Sequence, residues 1–190
     1  DANGYVDYTP GQSLVTEPTT PYKLGSVNAK WNLGWKHGFS YKGFDLNMLF
    51  TARLGGIVIS KTQAALDKFG VSQASADARD AGGINIGEGL TIAPQQFYDV
   101  VYNLDSYYVY SATNVRLQEL SLSYSLPKNF LGKTFKNVAL SVYATNLWMI
   151  YNKAPFDPEA TASTGTYNQG SDIFMMPSLR SFGFSLRLEF

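Results

Sequence analysis

The sequence predicts an all-β protein: a portion of a transmembrane antiparallel β-barrel, with about five long strands, long extracellular loops and short periplasmic turns. Three observations carry the prediction. The last strand, Leu179 to Phe190, places Phe182, Phe184, Leu186, Leu188 and Phe190 on one side of a period-two pattern. Ser181, Gly183, Ser185, Arg187 and Glu189 fall on the other side. Such an oil-facing and water-facing alternation is what a barrel strand in a bilayer requires. Second, comparable alternation recurs in four more segments, each as long as the ~9–11 residues a tilted strand needs to cross a bilayer. Third, the connections alternate between short and long, as turns and loops of an outer-membrane barrel do.

The segments follow in order. Residues 25–35 put Val27, Ala29, Trp31, Leu33 and Trp35 on one face. Residues 41–54 put Phe44, Leu46, Met48, Phe50 and Ala52 opposite Asp45, Asn47, Thr51 and Arg53, with Leu49 out of phase. Residues 115–126 alternate cleanly only from Glu119, with Leu120, Leu122, Tyr124 and Leu126 on the apolar side. Residues 138–150 alternate from Val138 to Ile150, with Asn146 out of phase. Soluble sandwiches use shorter strands, of about 5–6 residues. The short connections are 37–40 and 127–137, and the long ones are 55–114 and 151–178, with residues 1–23 as a further loop on the long side.

The long loop 55–114 is expected to be ordered. Thr62–Phe69 has helical propensity, and Gly70 would stop it. Residues 77–89 read as irregular, and the aromatics Phe97, Tyr98, Tyr102, Tyr107, Tyr108 and Tyr110 argue for internal packing. Five strands cannot close, and open sheet edges are not tolerated in a bilayer. The chain is therefore read as the C-terminal part of a barrel, residues 1–190, without a plug domain; the missing strands lie upstream or on another chain.

Composition bounds the function. The 190 residues carry no net charge and no clustered basic surface, which argues against nucleic-acid binding. Aromatics reach 15%, with 13 Tyr and 12 Phe, an excess that favours strands and membrane interfaces. The absence of cysteine excludes disulfide scaffolds, thiolate metal sites and cysteine nucleophiles. No apolar run approaches the ~20 residues of a membrane helix. No signal peptide follows residue 1, so the chain reads as mature or as a piece of something longer.

The residues that could carry chemistry give no catalytic set. His37, the one histidine, reads as a solvated turn residue. Asp157 and Glu159 flank Pro158 on one loop and read as loop structure or partner contact rather than a glycosidase pair. Asp1, Asn3 and Asp7 begin like a calcium loop, but Gly4 is misplaced, Tyr5 takes a ligand position and Gln12 replaces the bidentate Glu. No cofactor is expected beyond that weak calcium pattern in an extracellular loop. Gly55-Gly56 and Gly82-Gly83 lack the context of phosphate loops. Trp31, Trp35, Tyr41 and Tyr124, with Phe130 and Phe190, read as an aromatic girdle near the short-turn end. Arg53, Glu119, Arg187 and Glu189 read as lumen-facing.

Several segments together resemble the C-terminal barrel region of SusC/RagA-type TonB-dependent outer-membrane transporters. They are F-S-Y-K-G-F-D-L at 39–46, N-V-R-L-Q-E-L-S-L-S-Y-S-L-P at 114–127, V-Y-A-T-N-L-W at 142–148, F-D-P-E at 156–159, D-A-N-G at the start, and the terminal strand. The resemblance spans nearly all of the chain. It implies a large plugged barrel in the outer membrane of a Gram-negative bacterium, with the C-terminus on the periplasmic side. It implies TonB-energised import of oligosaccharides or peptides, with TonB contacted through the absent N-terminal part. It also implies a SusD-like lipoprotein lid, with Asp157, Glu159, Tyr107 and Tyr108 as contact candidates. Phe190, with Phe184 and Phe182, looks like the signal read by the barrel-assembly machinery. Two other readings stand beside this one: a soluble β-rich carbohydrate-binding module, and a SusC-like structural subunit of an outer-membrane assembly.

Overall fold

The computed structural model describes residues 22–190 apart from Glu88, Lys133 and Thr166. Its elements run β1 (Trp31–Tyr41), β2 (Phe44–Leu54), β3 (Ile57–Ser60), α1 (Lys61–Lys68), α2 (Gln73–Asp80), β4 (Ile84–Gly87), β5 (Leu90–Ile92), α3 (Pro94–Val101), β6 (Val109–Ser111), β7 (Asn114–Ser125), β8 (Asn137–Asn152), β9 (Ser171–Asp172) and β10 (Ser181–Glu189). No helix among the described residues is long and apolar enough to cross a membrane. The chain divides into two units, one formed by the long strands and one by the loop segments.

The strand unit is a five-stranded sheet in the order β1-β2-β7-β8-β10, antiparallel throughout. Directly paired residues share a face. Following the register from edge to edge therefore reads the two surfaces. Phe39 pairs with Leu46, Leu46 with Leu122, Leu122 with Val142, and Val142 with Phe184. One row below, Ser40 pairs with Asp45, Asp45 with Ser123, Ser123 with Ser141, and Ser141 with Ser185. One face is thus apolar across all five strands and the other polar. The sheet does not close: among the described residues β1 and β10 are each paired on one side only.

The first hairpin corrects the expected boundaries. The strand is not 25–35 but β1, and the turn is not 37–40 but Lys42-Gly43. Both turn residues have positive φ, 45° and 85°, the two-residue geometry that matches strand twist. A Cβ on Gly43 would lie 2.7 Å from the Ser125 carbonyl oxygen, so only glycine fits there. His37 consequently lies inside β1. It sits between Trp35 and Phe39 on the apolar face, with ring centroids 5.4 Å and 4.2 Å away, and is not a turn residue.

The irregularities in the alternation are β-bulges. The register of β7 skips from Leu117 to Glu119 against both neighbours, so apolar residues change from odd to even numbers there. On β8 the same step passes over Asn146 and Leu147, and Asn146 takes a left-handed φ of 50°. Leu49 lies on the polar face, opposite Glu119.

The loop unit is ordered, as its aromatics suggested. β3 joins β6 and a parallel β9, and β4 and β5 form a small hairpin. Its core gathers Ala64, Ile86, Phe97, Tyr98, Val101 and Tyr108. α1 starts where the Ser60 hydroxyl caps the N–H of Gln63, and ends as expected before Gly70 at a φ of 71°. The segment 77–89 is not irregular throughout: α2 covers its start, capped by Ser72, and β4 its end.

Candidate functional site

The polar face of the sheet is the first candidate surface. By register it carries Arg53, Glu119, Arg187 and Glu189. Arg53 Nη2 donates to the Val27 carbonyl at 2.9 Å. A concavity of about 410 Å³ opens on this face, lined by Lys36, Asn47, Leu49, Glu119, Ser121, Tyr143 and others. It offers cation, anion, amide and hydroxyl groups together, a surface suited to hydrogen-bonding a polar chain.

The apolar face carries the terminal aromatics. Phe182, Phe184 and Phe190 are 72%, 79% and 70% exposed. The structure does not bring the girdle residues together. Tyr41, Phe44 and Tyr124 sit beside the Lys42-Gly43 turn, with the Phe44 and Tyr124 rings 4.3 Å apart. The Phe190 ring lies 5.2 Å from that of Phe135, tilted by 41°, and the Lys136 N–H donates to the Glu189 carbonyl. Trp31 lies at the far end of β1, opposite Leu54, about 33 Å from Tyr41 at ~3.3 Å per residue. Trp35 lies between them, over Phe50 at 5.5 Å.

A buried polar network holds the second long loop to β7. Arg116 Nη2 donates to Asp157 Oδ1 at 2.9 Å and lies 3.6 Å from Glu159 Oε1. Its Nε donates to Asn114 Oδ1 at 3.2 Å, and Asn114 Nδ2 donates to Glu159 Oε1 at 3.0 Å. Asp157 also accepts from the N–H groups of Glu159 and Ser178, so one carboxylate pins both ends of the loop. Asp157 is thereby committed internally and is not a free partner contact. Burial alone would raise its pKa, but hydrogen bonds from Ser178 and Glu159 and the Arg116 guanidinium hold it below the ordinary 3.8. A depressed folded-state pKa means the anchor contributes fully above the unfolded value and is lost as pH falls through the folded one. Protease cleavage within 160–178 should thus be unchanged from pH 7 to about pH 5 and rise only below the ordinary carboxylate range. An increase already near neutrality would refute the anchor.

The loop unit holds a second cluster. Asp67, in the last turn of α1, is buried beside Tyr98, Tyr107, Tyr108 and Tyr110. Burial, then the Asp67 carboxylate, then Tyr107 push the Tyr98 hydroxyl up to about 12. Tyr107, Tyr108 and Tyr110 are raised by the same leading causes, so these hydroxyls stay protonated. Tyr108 is 1% exposed and belongs to the core, whereas Tyr107 is exposed. Of the proposed contact pair only Tyr107 can reach a partner.

Arg116 and Asn114 went unnoticed in the sequence. Their signal was a cation on the polar phase of a strand with an Asp-Pro-Glu loop to follow. The calcium-like residues Asp1, Asn3 and Asp7 lie outside the described residues.

Comparison with known proteins places this geometry in context. No family model matches the chain. Over its whole length it is 30% identical to TonB-dependent receptor P3 of Formosa agariphila, in an alignment of 196 residues that covers 18% of that receptor. It superposes on the RagAB peptide importer in the "open-open" state with a TM-score of 0.67 and 18% identity, over 98% of this chain and 20% of that one. It also superposes on the RagAB peptide transporter with a TM-score of 0.66 and 20% identity, over 97% and 21%. The chain therefore spans about a fifth of the length of these relatives. The structural likeness bears out the fold class, and the match to a TonB-dependent receptor bears out the resemblance read from the sequence, as a fragment of a larger protein. These relatives are named as receptors and importers, not as enzymes.

Proposed function

We infer that this chain is a stretch of barrel wall, with two long extracellular loops, from a TonB-dependent outer-membrane transporter of the SusC/RagA type. The observation that carries the reading is the sheet whose one face is apolar from β1 to β10 while the other is polar. A bilayer on one side and a hydrated lumen on the other account for both faces at once. Arg53, Glu119, Arg187 and Glu189 then face the lumen. The turn at Lys42-Gly43, the β7–β8 connection and Phe190 share one end of the sheet, and we assign that end to the periplasm. The Phe44–Tyr124 pair and Tyr41 become the inner aromatic girdle, and Trp31 joins the outer one. Phe182, Phe184 and Phe190 are the residues assigned to the barrel-assembly machinery.

The parent protein imports peptides or oligosaccharides, driven by TonB through residues outside this chain, under a SusD-like lipoprotein lid. The RagAB importer supports the peptide arm and the partner. The test is expression of the full-length parent. It should fractionate with outer membrane, require detergent, and co-purify with a lipoprotein partner. A monomer that stays soluble without detergent would sink the membrane reading.

A further inference from the structure

The loop unit contains a cavity that neither the barrel wall nor the loop anchor explains. It measures about 360 Å³, within the range of small-ligand pockets. Its floor holds Asp67, Ser75 and Tyr98, all buried, and its rim holds Phe69, Arg79 and Gln95, all exposed. Asp67 is 5% exposed, yet no cation among the described residues pairs with it. Gln63 Nε2 donates to its Oδ1 at 2.9 Å. The neighbouring cations are turned elsewhere. Lys68 Nζ sits 4.2 Å from the Tyr102 ring, and Arg79 Nη1 donates to the Gly70 carbonyl at 2.8 Å. The buried Tyr108 hydroxyl bears on the same carboxylate, a neutral contact that leaves its charge without a cation.

Two costs therefore fall on Asp67. Burial disfavours an unpaired charge, and the C-terminal end of a helix is itself negative. A buried carboxylate at the floor of an open cavity, without a cation beside it, is a candidate binding group. We propose that this cavity is a subsite for a primary ammonium group, seated on Asp67 against the Tyr98 ring. An ammonium supplies the missing charge and a cation–π contact together. Arg79 and Gln95 at the rim then offer donors to the carbonyl or hydroxyl that follows an amine in a peptide or an amino sugar. The subsite rests on the transporter reading, because it places substrate recognition on an extracellular loop.

The test uses the full-length transporter in detergent and titration calorimetry. Trialanine should bind at least tenfold more tightly than N-acetyl-trialanine if the amine belongs to a peptide. Glucosamine should show the same margin over N-acetylglucosamine if it belongs to a sugar. Asp67→Asn, which keeps the shape and the Gln63 partner, should erase the margin. Phe69→Ala, at the exposed rim and outside the core, should weaken amine binding without loss of fold. Equal binding of free and acetylated forms in both series overturns the proposal, as does a margin that survives Asp67→Asn. Either result leaves the transporter reading intact, because that reading is decided separately by membrane fractionation.

Discussion

Replacing Arg116 with Ala should be the most damaging single change in the strand unit, costing about 3–5 kcal/mol, the range for removing one partner of a buried ion pair. The Arg116 and Asp157 side chains are only 5% and 8% exposed, so water does not replace what is lost. The carboxylate of Asp157 would remain buried beside Glu159, with like charge now uncompensated. Arg116→Lys should not rescue it. A guanidinium can donate from Nε to Asn114 and from Nη2 to Asp157 at once, whereas an ammonium is a single point. Thermal unfolding of the parent protein in detergent, with proteolysis of 160–178, reads both effects. Unchanged unfolding and cleavage would show that the network is not an anchor.

The second large effect is expected at Gly183. The hydroxyl end of the Tyr143 ring covers this glycine on the polar face, where a Cβ would come within 2.8 Å of Tyr143 Cε1 and closer still to Cζ and Oη. Aromatic cover of a strand glycine pins register. Gly183→Val forces the ring off and overpacks the β8–β10 pair, at about 1–3 kcal/mol. Because β10 is an edge strand here, the consequence should be poor barrel assembly, seen as a reduced fraction of the heat-modifiable folded band on a gel. Tyr143→Ala in the same chain should restore part of that fraction. If the double variant is no better than Gly183→Val alone, the clash with Tyr143 is not the cause.

Much of the wall was legible because its driving force is periodic. From Glu119 to Ser125 and from Ser181 to Glu189, every second residue is apolar, and the observed register keeps those residues on one face. The first hairpin was legible in phase but not in position. Val27 to Trp35 and Trp31 to Tyr41 share the same odd-numbered apolar side, so alternation alone could not say where the strand began. The Lys42-Gly43 turn decided it, through two positive φ angles and a backbone packed on Ser125. That turn also moved His37 from a presumed loop to a place between two aromatic rings.

The loops followed a different logic. The helix α1 and its Gly70 stop are local, and local propensity revealed them. The anchoring of Asp157 by Arg116, 41 residues earlier, is not local, and no spacing rule links the two. The same holds for Tyr107 and Tyr108, adjacent in sequence and alike in type. One is exposed and the other sealed in the core, because a neighbour along the backbone points elsewhere in space.

By itself, then, the sequence determined that long amphipathic strands form here, which phase of each is apolar, and that the wall needs further strands to close. These follow from side-chain alternation and from the cost of unpaired backbone in lipid, both readable one residue at a time. Only the tertiary structure decided where the strands start, where the bulges reset their phase, and which polar side chains are bound together. Those outcomes depend on pairing between segments distant in the chain, where one buried charge or one glycine under a ring selects among registers that alternation leaves equivalent.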